Sequence, residues 1–229
     1  DVVGVEALLR WTSPALGEVA PAQFIPIAER TGLIIPIGAW VLGEACRQVR
    51  DWIALTGERV KVAVNLSPRQ FHQKDLLPMI HDCIARWDVR PGTLELEITE
   101  TALVSREKEV DILMRGIRAL GVELSIDDFG TGYSSLAYLK RFPVQRLKVD
   151  RAFIRDLGRD EDSAAIILSV INLARGLKLR VVAEGVETQE QLAMLREMSC
   201  DEYQGFLFSR PVGAADVIGL IEQNRALAS

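Results

Sequence analysis

Val122-Glu123-Leu124-Ser125-Ile126-Asp127-Asp128-Phe129-Gly130-Thr131-Gly132-Tyr133-Ser134-Ser135 is the stretch on which the fold of this chain turns. An apolar-leaning run ends in two adjacent carboxylates, a glycine-rich turn follows, and a serine pair opens a short helix over residues 134–141. Two anions at the end of a strand repel each other unless a cation lies between them. The glycines let the backbone take turn conformations and come close to a ligand. Asp and Gly also make ordinary turns, so this stretch alone leaves both a turn and a divalent-cation site open.

Outward from it the same unit repeats. Upstream, a helix over 107–120 stops at Gly121, and Thr93–Glu100 alternates leucine and isoleucine with Glu95, Glu97 and Thr99. That period of two suits a strand with one wet face, or a barrel strand whose glutamates point to the mouth. Asn65 ends a run over 60–66, and Glu6 lies within a first run over 2–10, with a loop at Pro14 and Gly17 between that run and the helices expected over 21–30, 33–55 and 75–87. Downstream, Lys148 sits in a short strand, Glu184 closes another before Gly185, and Gln204 lies in the last. The helices between them are expected over 163–175, 188–198 and 214–227.

The strand runs number seven, 2–10, 60–66, 94–99, 122–127, 146–149, 179–184 and 202–206. Alternating strands and helices imply parallel strands joined by crossovers. A closed (β/α)8 barrel wants eight strands. Because the chain opens inside a strand pattern, the eighth is expected upstream, and residues 1–229 are read as a single domain of this barrel class. An open doubly wound sheet is the alternative, but no GxGxxG opens a helix here.

Composition narrows the chemistry. With 229 residues, 48% of them hydrophobic, the chain can bury a large core. A net charge of −5 argues against a partner that is a nucleic-acid polymer, which needs a basic stripe. No apolar run reaches membrane-spanning length, and three scattered cysteines, Cys46, Cys83 and Cys200, fit free thiols in a reducing cytoplasm. The only histidines, His72 and His81, stand apart from the carboxylates, so a His/Cys zinc site is not expected. A metal here would be held by oxygens, which points to magnesium, manganese or calcium. Trp11, Trp40, Trp52 and Trp87 are assigned to packing.

In such a barrel, function gathers at the C-terminal strand ends. Those ends carry Asn65, Glu97, Asp127 with Asp128, Lys148, Glu184 and Gln204. So many acids in one pocket would be costly unless divalent cations and a lysine balanced them.

Seven motifs in order carry a resemblance over essentially the whole chain. They are Glu6-Ala7-Leu8 with Leu9-Arg10-Trp11, Val64-Asn65-Leu66-Ser67, Leu96-Glu97-Ile98-Thr99-Glu100, Asp127 to Leu136, Leu147-Lys148-Val149-Asp150-Arg151, Ala183-Glu184-Gly185-Val186-Glu187-Thr188 and Gln204 to Pro211. The sequence resembles the EAL domain, the bacterial cyclic di-GMP phosphodiesterase family. The family's fold is a modified TIM barrel with one antiparallel strand, and its members usually begin about a helix and a strand earlier than this chain. Ala152, where serine is common, and Ser199, where glycine is common, are small departures outside the chemistry.

The resemblance implies a metal-dependent hydrolase that turns cyclic di-GMP into linear pGpG. Glu6, Asn65, Glu97 and Asp127 would hold one Mg²⁺ or Mn²⁺. Asp127 and Asp128 would hold a second, with Glu184 and Gln204 on that side directly or through water. Lys148 would orient the attacking water, and calcium is expected to inhibit, because it prefers more ligands in looser geometry. Arg10 would meet a substrate phosphate. Glu100 and Glu187 would support the ligands from behind, Glu100 by bracing the loop after Asp128. Phe24 and Pro211 are open between contact with a guanine and core packing. A homodimer, an upstream sensory or GGDEF domain, and a cytoplasmic location complete the expectation. The alternative activity is a catalytically silent cyclic di-GMP receptor. A Schiff-base enzyme using Lys148 is set aside, because acidic neighbours stabilise the charged amine rather than the free base.

Overall fold

The computed structural model describes residues 2–57, 59–103, 107–130 and 136–228. Thr131–Ser135, the glycine turn and serine pair of the opening stretch, lie outside the described residues. In chain order the strands are β1 (Gly4–Ala7), β2 (Trp11–Ser13), β3 (Gly17–Val19), β4 (Lys61–Leu66), β5 (Leu94–Thr99), β6 (Glu123–Phe129), β7 (Arg146–Val149), β8 (Arg180–Glu184) and β9 (Glu202–Gln204). The helices are α1 (Pro21–Thr31), α2 (Ile34–Thr56), α3 (Pro68–Phe71), α4 (Leu76–Trp87), α5 (Glu107–Ala119), α6 (Leu136–Arg141), α7 (Arg151–Arg155), α8 (Glu161–Leu177), α9 (Gln189–Glu197) and α10 (Val217–Ala228). The chain divides into two compact units: residues 1–98, 115–123 and 213–229, and residues 99–114 and 124–212.

In the first unit β1, β4 and β5 run parallel in that order, with Glu6 opposite Ala63 and Asn65 opposite Glu97. Helix ends follow local chemistry. Pro21 opens α1 at a position that needs no N–H, and Gly32 and Gly57 close α1 and α2 in the left-handed region, at φ 84° and 72°. The region between Trp11 and Val19, expected as a loop, is a β2–β3 hairpin in which Gly17 takes φ 70°. Three-residue strands are too short for a period of two to show in sequence.

Strand β5 settles the glutamate alternation. Leu94, Leu96 and Ile98 are buried, and so are Glu95 and Glu97, each 3% exposed, so neither face is wet. Glu95 is matched by Lys61, whose Nζ lies 3.4 Å from it and also pairs with Glu123. Of the tryptophans, Trp52 is buried and donates from Nε1 to the Ala214 carbonyl at 3.0 Å. Trp40 corrects the packing assignment: it is 63% exposed on the outer side of α2.

In the second unit β6, β7, β8 and β9 are parallel and sequential. Capping boxes at Ser67–Gln70 and Thr188–Gln191 start α3 and α9, and Asp160 caps α8. Below the strands, Arg146 Nε and Arg180 Nη1 both donate to Glu202 at 3.0 Å. Burial pushes the Glu202 carboxyl up, but the bond and charge of Arg146, then those of Arg180, outweigh it and hold the pKa below the usual value of 4.5.

A carboxyl held low stabilises the fold above its unfolded pKa, and that contribution fades as pH falls through the lower folded value. Wild type is therefore expected to exceed Glu202→Gln in urea midpoint at pH 7, with the gap closing as pH falls below the usual carboxylate range. A constant gap across that range would mean the charge contributes nothing. Among the described residues, no single helix is long and apolar enough to cross a membrane.

Candidate functional site

The acidic pair sits on a bulge. Ile126 faces Leu147 and Phe129 faces Val149, so β6 carries one residue more than β7 between these two points. Asp128 absorbs the extra length at φ 53°, a left-handed conformation that Asp tolerates better than most side chains. Bulges re-aim side chains, and here ligand oxygens of Asp127, Asp128 and Glu184 come within 4.8 Å of one another. Lys148, only 2% exposed, rises from β7 between them, with Nζ 2.6 Å from Glu184 and 3.3 Å from Asp127.

One ammonium does not balance this set. Asp127 Oδ1 is buried and makes no hydrogen bond, its one partner among the described residues being the Lys148 ammonium at 3.3 Å. Burial first, then the charge of Asp127 and a hydrogen bond with Asp150, push the Asp128 carboxyl up to about 6. Crowded, partly buried carboxylates that share a single ammonium are the electrostatic signature of a cation site, and all-oxygen donors suit a hard divalent ion. The residues present therefore fit magnesium or manganese. Gln204 lies opposite Glu184 in the β8–β9 register, at the same strand ends.

The first unit brings three more of the expected residues together. Glu6, Asn65 and Glu97 stand on adjacent parallel strands, and Asn65 Nδ2 donates to Glu6 Oε1 at 2.6 Å. Arg10, just past β1, donates to the carbonyl of its neighbour Leu9. Phe24 is 7% exposed and packs edge-on against Trp11, with centroids 5.6 Å apart. It follows the core-packing branch of its expectation, and Trp11, 44% exposed, is the accessible ring of the pair.

Glu100 opens a 3₁₀ turn over Glu100–Leu103, and both its carboxylate oxygens are buried without a hydrogen bond among the described residues. The side chain of Glu187 is exposed, while its backbone N–H donates to Gln191 at 2.8 Å. Pro211 is exposed in the segment after β9. Sequence reading missed Asp150, which accepts from the Ala152 N–H at 2.7 Å to cap α7 and also bonds Asp128. An aspartate just before a helix start was the available signal.

The family model described as the EAL domain matches residues 1–211. This chain belongs to the EAL domain family. MucR of Pseudomonas aeruginosa, described as a bifunctional diguanylate cyclase/cyclic di-GMP phosphodiesterase, is 46% identical over 220 residues, covering 96% of this chain and 32% of MucR. The cyclic di-GMP phosphodiesterase NbdA of the same organism is 45% identical, over 94% of this chain and 28% of NbdA. This EAL chain thus spans about a third or less of either relative's length. The solved structure "PaMucR Phosphodiesterase, c-di-GMP complex" superposes with a TM-score of 0.91 at 46% identity, covering 94% of this chain and 87% of that one. That superposition gives this EAL chain the fold expected of it, a modified (β/α)8 TIM barrel.

Proposed function

We propose that this chain is a metal-dependent phosphodiesterase that opens cyclic di-GMP to linear pGpG. The observation that carries the reading is the cluster of Asp127, Asp128 and Glu184 around buried Lys148, in a chain 46% identical to the phosphodiesterase MucR. Residues 1–229 act in this reading as one catalytic domain. Asp127, Asp128 and Glu184, whose ligand oxygens lie within 4.8 Å of one another, would hold divalent metal. Glu6, Asn65, Glu97 and Gln204 are added as ligands by the motifs they occupy. Two ions bound there supply Lewis-acid neutralisation of phosphate oxygens and lower the pKa of bound water.

The chain's own groups do the rest. Lys148, an ammonium salt-bridged to Glu184 and Asp127, orients the water through an N–H and faces the charge that develops on phosphorus oxygens. Being protonated, it does not take the water's proton, which goes to a carboxylate or to solvent. Arg10, which among the described residues donates to the neighbouring Leu9 carbonyl, would clamp a phosphate with its planar fork. Asp150 bonds Asp128, and Glu100, whose carboxylate oxygens are buried without a hydrogen bond among the described residues, would brace the loop after Asp128 as its motif implies. Pro211 borders a guanine, and a homodimer and an upstream signalling domain remain part of the proposal.

Incubation with cyclic di-GMP and Mg²⁺ or Mn²⁺, followed by chromatography, is expected to yield pGpG. In Glu6→Ala the yield should fall at least about a hundredfold, the scale for loss of a group that supports the reacting charge. Binding without pGpG would sink the enzyme reading, and normal turnover in Glu6→Ala would disprove its place among the ligands.

A further inference from the structure

We propose that Gln191 is a positioning residue for the acidic cluster: acting through α7, it holds the ends of β6 and β8, and with them Asp128 and Glu184, at a fixed separation. The inference rests on reading Asp127, Asp128 and Glu184 as ligands of a divalent ion.

The short helix α7 stands between the two strand ends. On the β6 side Asp150, its N-cap, bonds Asp128 and accepts from the Ala152 N–H at 2.7 Å. The Phe153 ring lies against Gly130, where an added Cβ would stand 3.1 Å from the ring edge. On the β8 side Arg151 closes over Gly185, the residue after Glu184, so that a Cβ there would stand 2.7 Å from the Arg151 Cβ. Movement of α7 would therefore move both strand ends.

Five residues do not hold a helix in place unaided, since isolated helices shorter than about 12–15 residues are marginal. Gln191, 9% exposed, ties this one down. Its Nε2 donates to the Ile154 carbonyl at 2.9 Å, a buried bond between residues 37 apart in sequence. Its Oε1 accepts from the N–H groups of Glu187 and Thr188 at 2.8 and 3.1 Å, in the segment that leaves Glu184. One side-chain amide thus joins α7 to the β8 end. A capping box uses only the side-chain oxygen, and glutamate serves it as well as glutamine. The amide nitrogen adds nothing to the cap of α9. Nor does it rescue a bare acceptor, because the Ile154 carbonyl also accepts from the N–H groups of Asp156 and Leu157. What the nitrogen adds is a fixed distance. Neighbouring carboxylates repel, so without this tie the two strand ends can relax apart, and an arriving cation has to draw them back.

The test is calorimetric titration of Mn²⁺ into substrate-free protein at pH 7, with the melting temperature in EDTA measured beside it. Gln191→Glu keeps the capping oxygen but sets a second carboxylate oxygen against the Ile154 carbonyl, so the cap stays and the tie is lost. Its Mn²⁺ affinity should fall about tenfold or more, the scale for losing a group that holds a metal ligand in place. An added negative charge by itself favours a cation, so the loss would not be a charge effect. Thr188→Ala removes the capping hydroxyl and leaves the tie. It should melt lower in EDTA yet bind Mn²⁺ as wild type does. Gln191→Met fills similar space without a buried charge, and it carries the test if Gln191→Glu does not fold, with Thr188→Ala setting the effect of a lost cap. Wild-type Mn²⁺ affinity in the Gln191 variants, or an equal loss in Thr188→Ala, overturns the positioning role alone. Wild type that binds no Mn²⁺ defeats the reading of the cluster as a metal centre, and the inference with it.

Discussion

Lys148→Met is expected to lower cyclic di-GMP turnover by about two to three orders of magnitude while leaving the barrel folded. Methionine fills nearly the same buried space, which Lys148 occupies at 2% exposure, so packing is kept and only the ammonium is lost. Two consequences separate catalytic loss from misfolding. First, Asp127 and Glu184 lose the cation that stands 3.3 and 2.6 Å from them, so the variant should melt lower than wild type in EDTA. Second, a divalent ion replaces that missing charge, so Mn²⁺ should raise the variant's melting point more than that of wild type. Lys178→Ala is the control, since Lys178 is exposed at the end of α8 in a left-handed conformation, φ 60°. Its loss should leave turnover unchanged. Wild-type turnover in Lys148→Met would remove the lysine from the mechanism.

Asp127→Asn is expected to have an effect of similar size by another route. Asp127 Oδ1 is buried without a hydrogen bond and faces only the shared Lys148 ammonium, and the amide keeps the shape of the side chain while removing its charge. If the carboxylate holds a divalent ion, wild type should gain about 2.7 kcal/mol of stability at a metal concentration a hundred times Kd, because the ion binds only the folded state. Asp127→Asn should lose most of that gain, read as the difference in denaturation midpoint with and without Mn²⁺. It should also be at least as stable as wild type in EDTA, since one repelling charge has left the cluster. An unchanged response to Mn²⁺ would show that Asp127 is not a ligand.

The βα repeat was legible because the barrel strands are four to seven residues of apolar pattern with a polar group at or near the C-terminal end, apart from the three-residue β9. Their parallel order followed from the helices between them. Glu6, Asn65 and Glu97, and separately Asp127, Glu184 and Lys148, were legible because each ends or punctuates such a strand. What sequence did not reveal was anything decided by one or two backbone dihedrals or by distant neighbours. Strands β2 and β3 of the hairpin, α3 and α7 span three to five residues each, too few for a period to register. The bulge at Asp127–Asp128 depends on β7 being one residue shorter between paired points. Glu95 resembled Glu97 in pattern, yet it is spent on Lys61 in the earlier half of its strand. Trp11, assigned to packing, is 44% exposed at the start of a hairpin whose turn had been read as loop, while Phe24 against it follows the packing branch left open for it.

The left-handed backbone at Asp128 also bears on how such a domain changes over evolutionary time. Besides glycine, asparagine is among the few residues that hold φ 53° readily. An Asp-to-Asn exchange at this one position would delete a negative charge while keeping the bulge, the turn and nearly every contact. The mutational distance between a charged centre and a neutralised one is then a single isosteric step that the fold does not oppose. Loss of charge at Asp127 or Glu184, neither of which has a positive φ, would face no such backbone filter. At 128 the conformation itself selects the replacement.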